Sequence, residues 1–378
     1  YEIVFGDWSS DVCSSGLGRR VYMSAEEAPI KVLVADDSTL MRRMLCDFLA
    51  SQPDFEVVGS ARDGMEACDL VRSLRPDVVT MDVYMPRKDG VACVAELMTT
   101  CPTPIVMLSA VTRESASVTM DALAAGAVDF VAKPRKGGLG EIADELLGKL
   151  RNAARASVVA PKTAEPGAFV RSRTGSLVDA KASPSAVMLI GASTGGPNAL
   201  DQLVTTLDAS LPVTWIFVQH MPAGFTASLA ERLDKRSDLR LTEAEKGQML
   251  ARGQGILAPG GLHLEFDAEM RCRLTDSVSV NGVRPSVDVT AFSLAKNYTK
   301  PVGFILMTGM GRDGADGAKA LYARGKTLAL AQSPDTCVVA GMPRSLLGLN
   351  LPHVDTVPLD RLGQAANRLA GALIKGAW

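Results

Sequence analysis

The feature that most constrains this chain is a repeated alternation of short apolar runs with segments whose apolar residues recur at helical spacing. Such alternation is typical of βα units, which build a parallel sheet with helices packed on both faces. It extends from residue 31 to about residue 154 and resumes at residue 186. We therefore predict two doubly wound α/β domains. The strands predicted in the first domain are residues 31–35, 55–60, 77–81, 105–109 and 128–132.

Shifts in composition along the chain predict where these domains begin and end. Residues 1–29 precede the first strand and lack a signal-peptide pattern, so we expect a disordered or artefactual leader. The first domain is expected over residues 30–152. Residues 153–184 combine prolines, small residues and basic charges without sustained periodicity, as interdomain linkers do. The second domain, residues 185–378, is expected to be Rossmann-like with a β-rich insertion.

Charge and cysteine usage exclude several classes of protein. The chain has 40 Lys+Arg and 42 Asp+Glu, a net charge of −2 that is too balanced for a protein that coats nucleic acid or an anionic membrane. Its 7 cysteines form no CxxC pair or metal-ligand spacing, which is typical of a reducing, cytoplasmic compartment. The uncharged run at residues 182–200 is interrupted by glycines and prolines, so no transmembrane helix is predicted. We expect a cytoplasmic protein without nucleic-acid binding or membrane insertion.

Polar residues stand where the strands of the first domain end. Asp36 and Asp37 follow the first strand, Asp82 follows the third, and Ser109 and Lys133 end or follow the last two. Because ligands of open parallel sheets bind at the carboxyl ends of the strands, we expect these side chains to converge. Three crowded carboxylates need a cation, and oxygen ligands suit Mg²⁺. Asp82 could then attack a phosphoryl donor, with the ammonium and hydroxyl stabilising the transferred charge.

The sequence words DDS, DVYMPRKDG, SA and KP occur in that order at consecutive strand ends. This pattern resembles the response-regulator receiver domain of two-component signalling, which has a flavodoxin-like fold. The resemblance implies phosphorylation of Asp82 by a histidine kinase, Mg²⁺ bound by the three carboxylates, and a switch aromatic at Phe130. It also implies a cis bond between Lys133 and Pro134. Tyr84 replaces the small or acidic residue common in the family, which leaves the lifetime of the phosphoryl group open.

A second set of polar residues follows strands of the second domain. Ser193 lies in a glycine-rich turn after one predicted strand, His220 ends the next, and Asp313 follows a later one. A serine activated by a histidine, itself oriented by a carboxylate, is the arrangement that makes a neutral hydroxyl nucleophilic. The glycines of the turn would let backbone N–H groups face an oxyanion.

Other assignments of the histidines remain open on these grounds. The word GASTG also matches the G-x-S-x-G nucleophile elbow of α/β-hydrolases, whose chain order of Ser, Asp, His would require His353 as the base. His353 lies beside a proline and is expected at the surface. His263 lies in the β-rich part and is expected to be a polar strand residue or part of the rim of the site.

Five sequence words surround these residues in order: IGASTGGP, QHMPAGFTASLAERL, RPSVDV, TGMGRDGA and CVVAGMPR. They resemble the catalytic domain of the chemotaxis protein-glutamate methylesterases, an α/β hydrolytic domain. The resemblance implies that Ser193 is the nucleophile, His220 the general base and Asp313 its orienting partner. It makes the backbone N–H groups near Thr194 and Met310 candidates for binding the oxyanion.

A receiver fused to such a domain implies a phosphorylation-activated methylesterase that serves adaptation in chemotaxis. Its substrates would be glutamyl methyl esters, and glutamines for deamidation, on methylated chemoreceptors, and its phosphoryl donor a chemotaxis histidine kinase. The esterase domain would need no cofactor, and the unphosphorylated receiver would cover its cleft. The rival interpretation is a non-enzymatic response regulator whose second domain only binds a partner. A transcription factor is disfavoured because no helix-turn-helix pattern or basic stripe is present.

Overall fold

The computed structural model describes residues 28–134, 138–156, 158 and 182–377. Both predicted α/β domains are present there, each built on its own parallel sheet. Most of the predicted leader and of the predicted linker lies outside the described residues. Among the helices in these ranges, none has the length and hydropathy that a membrane span requires.

The first domain contains five strands, which are β1 (Ile30–Ala35), β2 (Phe55–Ala61), β3 (Val78–Asp82), β4 (Ile105–Ser109) and β5 (Asp129–Ala132). They form a parallel sheet in the order β2-β1-β3-β4-β5, which is the flavodoxin-like order. The central strands β3 and β4 are buried along their whole length, as expected for strands covered by helices on both faces. The five predicted strands are confirmed.

Five helices cover this sheet, namely α1 (Thr39–Ala50), α2 (Gly64–Leu74), α3 (Gly90–Thr100), α4 (Arg113–Ala124) and α5 (Ala143–Ala154). The first four begin at an N-cap side chain that accepts a backbone N–H of the first turn: Ser38, Asp63, Asp89 and Thr112. These caps start each helix soon after the preceding strand. The polar residues at the carboxyl edge of the sheet are therefore held on short connections.

The second domain contains nine described strands: β6 (Ala186–Ala192), β7 (Val213–Gln219), β8 (Arg240–Glu243), β9 (Gln254–Leu257), β10 (His263–Phe266), β11 (Cys272–Thr275), β12 (Val302–Leu306), β13 (Thr327–Gln332) and β14 (Val354–Val357). Seven of them form a parallel sheet in the order β14-β13-β12-β6-β7-β9-β8. The β-rich middle has two parts, because β8 and β9 extend this sheet while β10 and β11 form a separate antiparallel pair.

The strand order of this second sheet reverses at β6, which lies between β7 and β12. Such a switch point leaves a crevice at the carboxyl ends of the strands, where α/β sheets bind their ligands. The helices around it are α6 (Gly196–Val204), α7 (Thr226–Arg236), α8 (Val287–Asn297), α9 (Ala315–Arg324), α10 (Gly341–Leu347) and α11 (Leu359–Lys375). Helices α8, α10 and α11 were not predicted from the sequence pattern. The described cis peptide bond joins Arg284 to Pro285, so the cis bond expected at Lys133–Pro134 is wrong.

The two domains pack through α4, which contacts α6 and α7. Beside it, the ring of Phe130 on β5 lies 4.4 Å, centroid to centroid, from the ring of Phe225 at the start of α7. At the edge of the contact, Arg113 forms an ion pair with Glu231 at 2.7 Å. The first domain therefore lies against the elements that follow β6 and β7, near the crevice of the second sheet.

Candidate active sites

The three carboxylates predicted to converge in the first domain do so. Asp36, Asp37 and Asp82 stand at the ends of β1 and β3, which are neighbours in the sheet. Each offers an oxygen that lies within 4.8 Å of those of the other two. Asp36 and Asp82 are buried and Asp37 is exposed. Oxygen donors with one side open to water suit a hard cation that keeps part of its hydration shell, so the set fits Mg²⁺.

Lys133, which follows β5, neutralises part of this cluster. Its Nζ lies 2.8 Å from Oδ2 of Asp36 and 2.8 Å from Oδ2 of Asp82. Burial raises the pKa of Asp82, and Lys133 offsets only part of that effect. Burial lowers the pKa of Lys133, but the two carboxylates outweigh it and the pKa is raised. The ammonium therefore stays charged beside the carboxylates.

The other residues singled out in the sequence of the first domain lie on β4, on β5 and in the loop after β3. Register pairs Asp82 with Leu108, which places Ser109 one residue farther along the same edge. The Ser109 hydroxyl lies 2.7 Å from the Thr119 hydroxyl on α4. Phe130 is buried and turned toward the second domain. Tyr84, in the loop after β3, is 45% exposed.

In the second domain, Ser193 and His220 lie side by side across two neighbouring strands. Register pairs Ala192 of β6 with Gln219 of β7, so the next residues along the two strands are the serine and the histidine. The Gln219 amide donates to the Ser193 carbonyl at 3.0 Å, and the His220 N–H donates to the Ala192 carbonyl at 3.0 Å. Adjacent parallel strands thus carry the serine and the histidine to one edge of the sheet.

The His220 imidazole is paired with Asp313, which follows β12 on the other side of β6. Its Nε2 donates to Oδ2 of Asp313 at 2.7 Å, and both side chains are buried. Burial raises the pKa of Asp313, but hydrogen bonds from His220, Ser286 and the Val287 N–H outweigh it and hold the pKa well below its usual range. The carboxylate is therefore ionised and accepts the proton on Nε2, so that Nδ1 is the acceptor of the neutral imidazole.

The backbone N–H groups of Thr194 and Met310, near the serine, have no partner within the described part of the chain. Gly195 follows Thr194 with φ +75°, the left-handed conformation that glycine adopts without strain. A Cβ added to Gly309 would lie 2.7 Å from the Cβ of Ser193, so only glycine lets the loop before Met310 approach the serine. Both N–H groups are therefore placed beside Ser193 with unused donor capacity.

The two remaining histidines lie elsewhere. His263 on β10 is buried, and its Nε2 donates to the Val278 carbonyl at 3.1 Å. His353 is exposed in the turn before β14. The order Ser, Asp, His that would make His353 the base has no geometric support, because Asp313 is bonded to His220.

Several residues at this site were missed in the sequence analysis. Ser286 Oγ donates to Asp313 at 2.7 Å, and the Asn281 amide bridges Asp313 and Asp288. Ser286 and Asp288 fall in the word RPSVDV, where a serine before a helical segment is an N-cap signal. No sequence signal points to Asn281.

The first domain contacts residues on both sides of Ser193. The Thr194 hydroxyl donates to Oδ2 of Asp129, on β5, at 2.6 Å. The Asn152 amide of α5 donates to the sulfur of Met310 at 2.8 Å. These two contacts hold the first domain against both loops that carry the unpaired N–H groups.

Comparison with known proteins gives two family matches. A family model described as CheB methylesterase matches residues 188–366, and one described as response regulator receiver domain matches residues 32–142. A relative named protein-glutamate methylesterase/protein-glutamine glutaminase, from Symbiobacterium thermophilum, is 42% identical over 364 residues, covering 91% of this chain and 98% of the relative.

A relative of the same name from Geobacillus kaustophilus is 42% identical over 351 residues, covering 90% of this chain and 99% of the relative. Among solved structures, the crystal structure of the Thermotoga maritima CheB methylesterase catalytic domain aligns with a TM-score of 0.46 and 36% identity, covering 48% of this chain and 97% of that one.

Proposed function

The chain belongs to the family of protein-glutamate methylesterases/protein-glutamine glutaminases that join a receiver domain to a CheB methylesterase domain. We propose that it demethylates chemoreceptors under the control of phosphorylation at Asp82. The observation that carries the proposal is the 2.7 Å bond between His220 and Asp313, beside Ser193 at the switch point of the second sheet. The substrate that we propose is a methylated glutamyl side chain on the cytoplasmic helices of a receptor, and the relatives' name, protein-glutamate methylesterase, supports this choice. We propose that the protein acts in the cytoplasm.

The reaction proceeds in two steps at Ser193. His220 accepts the hydroxyl proton as Oγ attacks the ester carbonyl, and the resulting imidazolium returns that proton to the departing methoxide, which leaves as methanol. Water, deprotonated by the same imidazole, then hydrolyses the acyl-enzyme to free Ser193 and a glutamate. With glutamine as substrate, ammonia leaves in place of methanol. Asp313 stays ionised throughout and stabilises the imidazolium.

The N–H groups of Thr194 and Met310 are proposed to bind the oxyanion of each tetrahedral intermediate. Their donor capacity is unused by the described residues, and they flank Ser193 on two loops. Preformed donors of this kind stabilise charge that develops only in the transition state, and the loss of one such donor lowers kcat about 10²- to 10³-fold.

In the receiver, Asp82 is proposed to accept a phosphoryl group from a chemotaxis histidine kinase. Mg²⁺ would be held by Asp36, Asp37 and Asp82 and would supply charge neutralisation for the transferred oxygens. Lys133 keeps its positive charge at the same edge of the sheet and stabilises the phosphorylated state. The Ser109 hydroxyl, one residue beyond the partner of Asp82 on β4, is proposed to turn from Thr119 toward the phosphoryl group.

Without phosphate, the receiver is proposed to restrain the esterase. Its Asp129 and Asn152 contact the two loops proposed to form the oxyanion site, and its Phe130 packs on Phe225. A phosphoryl group can activate the enzyme only if it favours a different arrangement of these contacts. Phe130 lies on β5, three residues before Lys133, so the strand that ends at the phosphorylation site also carries an aromatic ring of the interface.

The assignment of Ser193 is tested by methanol release from methylated receptor membranes. Ser193→Ala should lower turnover by on the order of 10³-fold or more, as removal of a triad nucleophile does. An organophosphonate probe should label the parent protein and fail to label the variant. Turnover by Ser193→Ala equal to that of the parent protein would show that Ser193 is not the nucleophile.

A further inference from the structure

Asp313 is held by a single segment that runs into the first turn of α8. Ser286 Oγ donates to its Oδ1 at 2.7 Å, and the Val287 N–H donates to its Oδ2 at 2.6 Å. The Asn281 amide adds a bond to Oδ1 at 3.0 Å. Since His220 also donates to Oδ2, both oxygens of the carboxylate are fixed in direction. The segment therefore sets the plane of the carboxylate that faces the imidazole.

A second buried carboxylate, Asp288, ties this segment to the loop that carries Asp313. Its Oδ1 accepts the N–H of Gly314 at 2.9 Å and of Gly317 at 2.7 Å. Its Oδ2 accepts the Asn281 amide at 2.8 Å. Because Gly314 directly follows Asp313, these bonds fix the backbone on which the carboxylate stands.

The backbone of Ser286 is itself hydrogen-bonded to a residue of β10. Its N–H donates to Nδ1 of His263 at 3.2 Å, and Nε2 of His263 donates to the Val278 carbonyl. Ser286 and His263 are both fully buried. The hydroxyl that reaches Asp313 therefore starts from a backbone position fixed by β10.

This arrangement is unfavourable for stability taken alone. Burial, together with the charge of Asp313, raises the pKa of Asp288 to about 6. Placing a second carboxylate beside one that is already ionised costs free energy, which an apolar residue at the same position would not. The bonds it makes to Gly314, Gly317 and Asn281 all act on the surroundings of Asp313.

We propose that Ser286 and Asp288 are positioning residues of the esterase reaction, which orient Asp313 and through it the His220 imidazole toward Ser193. The inference rests on the proposed function of these three residues. The positioning residues touch neither the substrate nor the nucleophile and act through Asp313. Their loss should therefore lower kcat and leave KM unchanged.

The test compares Ser286→Ala and Asp288→Asn with Ser293→Ala in the full chain. Ser293 is a matched control because its hydroxyl is also hydrogen-bonded on α8, to the Thr290 carbonyl and the Phe266 N–H, but does not reach Asp313. Removing a hydrogen bond to a charged group should lower kcat for methanol release about 10- to 100-fold, with KM within about twofold. Ser293→Ala should keep kcat within about twofold of the parent protein.

A second measurement reports on the hydrogen bond between His220 and Asp313 and does not depend on turnover. The ring N–H proton of His220 that is bonded to Asp313 gives a downfield NMR resonance, assigned by its loss in His220→Gln. It should move or broaden in Ser286→Ala and Asp288→Asn and remain in Ser293→Ala. Thermal unfolding of all variants confirms that the comparison is between folded proteins.

Unchanged kcat and an unchanged ring proton in both variants would overturn the positioning role, as would a rise in KM at constant kcat. Ser193→Ala is measured alongside to separate the two proposals. Full turnover by Ser193→Ala would contradict the proposed function itself. An inactive Ser193→Ala together with fully active Ser286 and Asp288 variants would overturn the positioning role alone.

Discussion

The Thr194 hydroxyl donates a 2.6 Å hydrogen bond to the Asp129 carboxylate, which joins the residue after Ser193 to the receiver. Both side chains are buried, and Asp129 is also paired with the half-buried ammonium of Lys149 at 3.2 Å. Burial lowers the pKa of Lys149, but Asp129 and Glu145 outweigh it and the pKa is raised. A charge-assisted bond shielded from water is stronger than an exposed one, so this contact is the polar bond we expect to contribute most to restraint.

The first prediction concerns this bond. Asp129→Ala should raise methanol release by the unphosphorylated protein about 10-fold or more, because loss of a bond to a charged group is worth about 1.5–3 kcal/mol and shifts the receiver away from the esterase. Asp77→Ala is the control, since Asp77 bonds the Lys31 N–H at the other end of the sheet. An unchanged rate in a folded Asp129→Ala variant would argue against restraint through Thr194.

The second prediction concerns the exposed edge of the same interface. Arg113 and Glu231 form an ion pair whose side chains are 85% and 54% exposed. Exposed pairs contribute about 0.2–1 kcal/mol, so Arg113→Ala should change basal methanol release by less than about fivefold. A larger rise than that caused by Asp129→Ala would place the restraint at the rim of the interface.

The third prediction separates phosphorylation from esterase chemistry. Asp82→Asn should take up no label from a phosphoryl donor in the presence of Mg²⁺, while its basal methanol release stays at the level of the parent protein. Asp89→Asn, which changes the nearby N-cap of α3 outside the acidic cluster, should still be labelled. Removing Mg²⁺ with a chelator should abolish labelling of the parent protein. Labelling of Asp82→Asn would show that a residue other than Asp82 accepts the phosphoryl group.

The fourth prediction concerns stability and pH. The pKa of Asp288 is raised from 3.8 to about 6, mainly by burial. Its contribution to stability is therefore fully present below about pH 4 and is lost as the pH rises through about 6. The free energy of unfolding of the parent protein minus that of Asp288→Asn should be larger at pH 4 than at pH 7, measured by chemical denaturation. A difference that is constant over this range would contradict the raised pKa.

Much of the fold was predictable because buried parallel strands are continuous apolar runs. The runs at residues 105–109 and 327–332 coincide with β4 and β13. Helix α8 was missed because its apolar residues recur only weakly at helical spacing. Its start also depends on the capping residue Ser286. Strands β8 and β14 are short and lie at the edges of the sheet, where burial imposes little pattern.

The candidate sites were predictable to the extent that their residues end strands. Strand order brings such residues together whatever the loops do, so Asp82 and Lys133, or Ser193 and His220, could be placed from sequence. Asn281 could not, because its contact with Asp313 depends on the path of a loop. The residue contacts between the two domains could not be predicted either, because no sequence pattern indicates which face of one domain packs on which face of the other.

The central claim is that one chain couples phosphorylation at Asp82 to ester hydrolysis at Ser193. The most direct test measures methanol release from methylated receptor membranes by the full chain, with and without Mg²⁺ plus beryllofluoride, which mimics the phosphoryl group. We predict a clear rise with the mimic, absent in Asp82→Asn. No release under either condition, or release that the mimic leaves unchanged, would contradict the account.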